Sequence, residues 1–395
     1  MNALRNVVEV FFVFLRLGLT SFGGPVAHFG YFHSEFVVRR KWLDENLFAS
    51  IISLCQFLPG PASSQMGMAI GFFRAGILGS MAAWLGFTLP SAVILVLFGF
   101  WFSCFPGDVG GWVHGFKIVT VAIVAQAVIR MGESLCQDLW RRLTAIVSTA
   151  LLLLLPSFSA QMSVMGFGAL AGLAFCKHLE PAHYSCAYGF SKKWGLFFLL
   201  IFAGLLCFLP IAAAVGGHAV LKLADTFFRS GALVFGGGHV VLPVLQSQIV
   251  SQGWVTNDVF LTGYSVAQAV PGPLFSFAAF LGSVSHGHPS GWIGATVALV
   301  SIFLPGYLLV IGILPFWGSL FRWKYIGPIM AGVNASVVGI LLAALVTPVM
   351  STAIHTYGDF LAAAGCYIIL CRWGNLRWTV VVLLAGVGLL FHYLR

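Results

Sequence analysis

Two short stretches of this chain carry the residue types best suited to hold an anion. Pro59-Gly60-Pro61 lies inside "CQFLPGPASSQ", and Pro271-Gly272-Pro273 lies inside "AQAVPGPLFSF". Proline has no amide hydrogen and glycine admits backbone conformations closed to other residues, so each triplet breaks a helix that reaches it. The arm that follows a break starts with unpaired amides at the positive end of the helix dipole, which is where anions bind. Ser63, Ser64 and Ser276 fall in the first turns after the breaks, where a hydroxyl caps the helix or donates to a ligand. Gln56 and Gln268 each stand three residues before the triplet. One Pro-Gly-Pro alone would read equally well as a packing kink. Two at matching positions favour a site.

Arg16 and Arg229 are the second constellation. Each stands six residues before a Phe-Gly-Gly, in "FLRLGLTSFGGP" and "FFRSGALVFGGG", so Gly23, Gly24, Gly236 and Gly237 mark a second pair of breaks. An arginine inside a membrane helix costs at least ~2.5–3.5 kcal/mol on insertion scales and normally has a task or a partner. The bland alternatives are snorkelling, pairing with Glu9 and Asp225, or an ion pair between Glu9 and Lys222. Lys117, in "GFKIVTVAIVAQAV", is a third cation in an apolar run, divided between substrate contact and structure. His28 and His239 follow the two glycine breaks. A histidine so placed is more often a satisfied hydrogen-bonding group than a proton carrier, though His239 stays among the candidates. Trp42 and Trp254 read as interface anchors. Glu35, Asp44, Glu45 and Asp258 sit near loops and the breaks themselves hold no carboxylate, so the expected ligand is a tetrahedral oxyanion rather than a cation. No catalytic residue, metal site or cofactor is expected.

The elements that position these residues must be membrane helices. The chain has 395 residues, 59% of them hydrophobic and only 8% charged, with a mean hydropathy of +0.98. A soluble domain carries about 25% charged residues. Apolar runs such as "SAVILVLFGFWF" and "LFFLLIFAGLLCFLP" suit helices, and the alternation of a β-barrel is missing. The first apolar stretch contains Glu9 and Arg16 and has no small-residue cleavage site, so it is expected to be retained. Eight cysteines are scattered singly, which predicts neither a disulfide framework nor a metal centre. The net charge of +9 lies mostly in loops and does not imply nucleic acid.

The chain repeats itself. Arg16 falls on Arg229 at an offset of 213, Gly60 on Gly272 at 212, and Leu89-Pro90 on Leu304-Pro305 at 215. A register this steady makes the chain two homologous halves. The basic loop Arg39-Arg40-Lys41 falls on the uncharged Ser251-Gln252-Gly253. By the positive-inside rule the second half is therefore expected upside down. The expected fold is an all-α polytopic membrane protein of two inverted repeats. The first repeat spans 1–185, with broken hairpins 8–37 and 44–74 and helices over 76–176. A linker, 186–217, adds one crossing. The second repeat spans 218–395, with hairpins 219–251 and 258–285 and helices over 290–394. Arms of roughly 15 residues reach about 22 Å, short of the ~30 Å hydrocarbon core. Inverted repeats with broken helices are the pattern of secondary transporters.

The motifs "FGGPVAHFGYF", "RRKWLDENLF", "LCQFLPGPASSQMG", "GFTLPSA", "FGGGHVVLPVL" and "AVPGPLFSFAAFLG" resemble those of the chromate ion transporter family in its long, two-domain form. The resemblance covers most of both halves. It implies a multi-pass protein of the bacterial inner membrane that exports chromate and confers resistance. Sulfate or another oxyanion, and an anion channel, are the alternatives. A membrane-embedded lipid-phosphate enzyme is the rival class, and it would need an acid–base or nucleophile system that the broken motifs lack. The expected partners are chromate or a sulfate-like oxyanion and the lipid bilayer, with no nucleic acid, and a homodimer is compatible with the sequence.

Overall fold

The computed structural model describes residues 2–22, 24–104, 110–155, 157–176, 191–234, 241–286, 289–317 and 323–373, with positions 383, 386, 387 and 390. Among them every regular element is helical. In the first half the elements are α1 (Asn2–Thr20), α2 (Gly24–Phe32) with a π-helical continuation (His33–Arg39), α3 (Glu45–Phe57) and α4 (Ala62–Cys104). α5 (Gly110–Leu135), α6 (Leu139–Leu154) and α7 (Phe158–Phe175) follow, then α8 (Lys192–Gly216). The second half repeats the order. It has α9 (Ala219–Ala232), α10 (Val241–Ile249), α11 (Asn257–Ala269), a 3-10 turn (Leu274–Ser276) leading into α12 (Phe277–Val284), then α13 (Gly291–Ile313) and α14 (Ile326–Ala344). α15 (Tyr357–Trp373) comes last.

Local chemistry sets the boundaries. Asp44 accepts a hydrogen bond from the Leu47 amide at 2.7 Å and starts α3. Asp138 and Ser157 cap α6 and α7 in the same way. α4 bends at Ala75 and Gly76, where Gly76 takes φ +67°, so the short arm 62–74 is separate from the long helix 77–104. Among the described residues five stretches are long and apolar enough to cross a membrane: Ala62–Cys104, Val113–Leu135, Lys192–Gly216, Gly291–Phe316 and Ile326–Ala353. On α8 the side chains of Leu196, Phe197, Leu200, Phe208 and Ile211 are all exposed, as expected of a helix turned toward lipid. The chain is a multi-pass membrane protein by this architecture.

The chain divides into two compact units, and each takes segments from both halves. One comprises Met1–Trp101, His183–Gly238 and Val270–Arg322, and so holds the break after α1, both Pro-Gly-Pro breaks and the end of α9. Its helices approach through glycine. A Cβ on Gly18 would lie 2.6 Å from the Phe87 carbonyl oxygen, and a Cβ on Gly231 would press on the Ile302 carbonyl. Gly231 lies 213 residues after Gly18 and Ile302 lies 215 after Phe87, so α1 crosses α4 in the same manner as α9 crosses α13. The other unit comprises Phe102–Ala182, His239–Ala269 and Trp323–Arg395. There α14 packs on α6 and α7 through small residues: Gly168 and Gly172 against Gly332, and Gly339 against Ala145 and Ser148.

Candidate functional site

The four helix ends of the first unit are tied in a reciprocal pattern. The Gly60 amide donates to the Val234 carbonyl at 2.7 Å, and the Gly272 amide donates to the Ser21 carbonyl at 2.8 Å. Ser21 follows the last residue of α1. Val234, at an offset of 213, follows the end of α9. Each Pro-Gly-Pro break of one half thus meets the C-terminal end of the first helix of the other half. Both glycines hold positive φ, +122° at Gly60 and +108° at Gly272, a conformation that side chains rarely adopt. The amides of both glycines, within the triplets expected to hold an anion, are therefore committed to protein carbonyls.

Beyond the breaks the two arms differ. After Pro61, Ser63 and Ser64 are buried in the first turn of α4, and the Ser64 hydroxyl has no hydrogen-bond partner. Gln65 folds back, its Nε2 donating to the Pro59 carbonyl at 2.8 Å. After Pro273, the Ser276 hydroxyl donates to the Pro273 carbonyl at 2.6 Å. Gly60, Pro61 and Pro273 are buried, while Pro59, Pro271 and Gly272 are partly exposed. Gln56 is exposed on α3, away from any enclosed site, because it lies on the outer face of that helix. Gln268, on α11, hydrogen-bonds Tyr264.

The arginines have carboxylate partners. Arg16 binds Glu35 at 2.6 Å, not Glu9, and its side chain is 50% exposed. Glu35 also takes Arg40 at 2.7 Å and Arg39 at 3.2 Å. Glu9 binds Arg40 at 2.8 Å and Arg74 at 3.0 Å, rather than Lys222. Four guanidinium groups therefore share two carboxylates. Arg40 and Arg74 also stack on the Trp42 ring, 5.4 and 4.9 Å from its centroid, so Trp42 serves this cluster. Burial works to raise the Glu35 pKa, but the hydrogen bond from Arg40 and the charges of Arg16 and Arg39 outweigh it and hold the carboxyl below its ordinary value. Glu9, Phe12, Val13, Arg16 and Arg40 line an open cleft. Arg229 is half-buried and bonded to Asp225 one turn before it.

In the second unit Lys117 is paired with Asp258 at 2.5 Å. One turn along α5, Thr120 meets Ser265, whose hydroxyl also donates to the Phe116 carbonyl at 2.8 Å. One turn before, His114 contacts Asp359 at 2.8 Å, and both are buried. Trp254 is buried in this unit, at 7% exposure, rather than standing at a surface as an interface anchor, because the turn after α10 folds it inward.

Some candidates lie outside the described residues: Gly23, Gly236, Gly237 and His239. Gly24 opens α2. Ser21, Thr88 and Ser91 were not singled out in the sequence; all three are buried, and the Ser21 carbonyl and Ser91 Oγ lie beside Gly272. Their signal was weak because a serine or threonine in an apolar helix is common. His28, which follows the first glycine break, is fully enclosed and hydrogen-bonds the Ser21 backbone. Among the described residues no group of three or more His, Cys, Asp or Glu side chains could hold a metal ion.

Comparison with known proteins adds a separate line of information. A family model described as "Chromate transporter" matches residues 8–173 and 221–391, one region in each half. A chromate transport protein of Pseudomonas aeruginosa is 28% identical over 387 residues, covering 96% of this chain and 91% of the relative. A probable chromate transport protein of Synechococcus elongatus is 28% identical over 84% of this chain and 82% of its own length. A chromate transport protein of Cupriavidus metallidurans is 27% identical, over 87% and 82% respectively. No solved structure matches the chain.

Proposed function

The chain belongs to the chromate transporter family, and we propose that it is a secondary transporter that exports chromate across the bacterial inner membrane and thereby confers resistance. The choice of chromate follows the chromate transport proteins of Pseudomonas aeruginosa, Synechococcus elongatus and Cupriavidus metallidurans that the chain resembles. The observation that carries the mechanism is the reciprocal exchange, Gly60 to Val234 and Gly272 to Ser21. Interrupted helices are tolerated at membrane depth only where protein or a cavity satisfies the freed backbone. Here each half satisfies the other, so a rearrangement at one crossing is transmitted to its counterpart. Such paired breaks at a repeat interface are where secondary transporters hold substrate.

The proposed path runs from the cleft beside Arg16 and Arg40 to the crossed breaks. Excess guanidinium charge gathers a dianion at the cleft, and Arg16 hands it on by exchanging Glu35 for the oxyanion. Arg229, beside Asp225, has the equivalent role in the second half. A membrane potential of ~100 mV, negative inside, is worth about 2.3 kcal/mol per charge, so a departing dianion gains about 4.6 kcal/mol. This favours export without a nucleotide.

Flux of radiolabelled chromate and sulfate into and out of proteoliposomes, with potential and pH gradient imposed separately, tests the proposal. Saturable chromate uptake driven by an inside-positive potential, and accelerated by unlabelled chromate on the opposite side, is the expected result. Non-saturating flux without that acceleration would make the protein a channel. Faster handling of sulfate would reassign the substrate.

A further inference from the structure

The two repeat-equivalent arginines differ in how their carboxylates are neutralised. Glu35 faces Arg16, Arg39 and Arg40, so two guanidinium groups stay on it when Arg16 turns to an oxyanion. Asp225 is bonded to Arg229. In the second half Glu35 falls on the neutral Gln248 at the offset of 213, and Arg39 and Arg40 fall in the uncharged loop Ser251-Gln252-Gly253. No Lys or Arg stands between Arg229 and Arg322. Asp225 is 4% exposed. Its Oδ2 accepts from Arg229, while its Oδ1 and the Arg229 Nε have no hydrogen-bond partner. α9 packs on α8 and α13. The titratable side chain of α13 is Tyr307. Those of α8 are Lys192 and Lys193, which begin it at the end away from the turn into α9, and the exposed Cys207. On α9 itself they are Lys222, exposed one turn before Asp225, with His218 at the cap.

A buried carboxylate left without its counter-charge is costly, and taking a proton removes that cost. We propose that Asp225 couples a proton to transport: it takes one proton from water when Arg229 leaves it for an oxyanion, and gives it back when Arg229 returns. This rests on the oxyanion transport proposed above. In the step, the hydrogen bond from Arg229 to Asp225 Oδ2 breaks and one from Arg229 to an oxyanion oxygen forms. The proton adds to the carboxylate, where Oδ1 is vacant. Glu35 keeps Arg39 and Arg40 and takes no proton in the equivalent step. The unit moved is then the dianion with one proton, of net charge −1, which a negative-inside potential still drives outward.

The test compares full-length wild type, Asp225→Asn and Asp225→Glu in proteoliposomes with chromate as the probe. It reads the charge moved per chromate, from the reversal potential, and the chromate KM across neutral pH. Wild type and Asp225→Glu should move one charge per chromate, and Asp225→Asn two. Binding that takes up a proton weakens as pH rises. The wild-type KM should therefore climb with pH by up to about tenfold per unit relative to Asp225→Asn. The proton that chromate itself exchanges with water is common to both proteins and drops out of the comparison. Two charges per chromate in wild type would overturn the coupling, even if Asp225→Asn fails to fold. One charge in both wild type and folded Asp225→Asn, with parallel pH profiles, would also overturn it, because the proton would then ride on the oxyanion. Wild-type liposomes that carry no chromate would instead remove the transport proposal, and this coupling with it.

Discussion

At the scale of single residues, charge pairing decides what the arginines do at rest. Glu35 is buried and faces Arg16, Arg39 and Arg40, and it lies outside the five spanning stretches. Its pKa is lowered on folding, so its contribution is fully present above the unfolded value near 4.3 and is lost as pH falls through the folded one. Glu35→Gln should lower stability at neutral pH by about 1–3 kcal/mol, the order of a lost charge-assisted hydrogen bond. The gap between wild type and variant, followed by thermal unfolding in detergent from pH 7 downward, should narrow once the pH falls below the unfolded value and close as Glu35 takes up its proton in the folded state. An unchanged gap at acid pH would mean the carboxylate charge is not what matters. Sequence alone put a guanidinium at position 16 but gave the wrong carboxylate. Glu9 is seven residues away, two helical turns, and looked available. Glu35 comes within reach only because the break after α1 returns the chain alongside it.

At the scale of elements, glycine sets how closely helices cross. A Cβ on Gly18 would collide with the Gly86 and Phe87 carbonyl oxygens, which are backbone atoms and cannot swing aside. Gly18→Val should therefore push α1 away from α4. Overpacking of this kind typically costs about 1–3 kcal/mol. The expected result is a lowered unfolding temperature with reduced flux, whereas Gly30→Ala, where a Cβ meets nothing within 4 Å, should be neutral in unfolding. Equal stability of Gly18→Val and wild type would refute the close crossing. Helix ends follow local signals such as proline, glycine and capping residues: Asp44, Pro59-Gly60-Pro61 and Gly76 each end or start a segment. Which breaks meet was not readable. Gly272 and Ser21 are 251 residues apart, and their hydrogen bond follows from tertiary folding alone.

At the scale of the whole molecule, the repeat in the sequence and the reciprocal hydrogen bonds point to two related halves, and the opposite orientation expected from their loop charges would turn the crossed breaks into a path with two alternating ends. Orientation rests on charge: Arg39, Arg40 and Lys41 in one loop, none in Ser251-Gln252-Gly253. Both loops have exposed residues at Lys41 and Gln252. The central claim is tested most directly by substituting these two positions singly with cysteine, in a background without the eight native cysteines, and labelling with a membrane-impermeant maleimide from each side. The inverted arrangement predicts that Lys41→Cys reacts only from the cytoplasmic face and Gln252→Cys only from the opposite face. Labelling of both from the same side would contradict it.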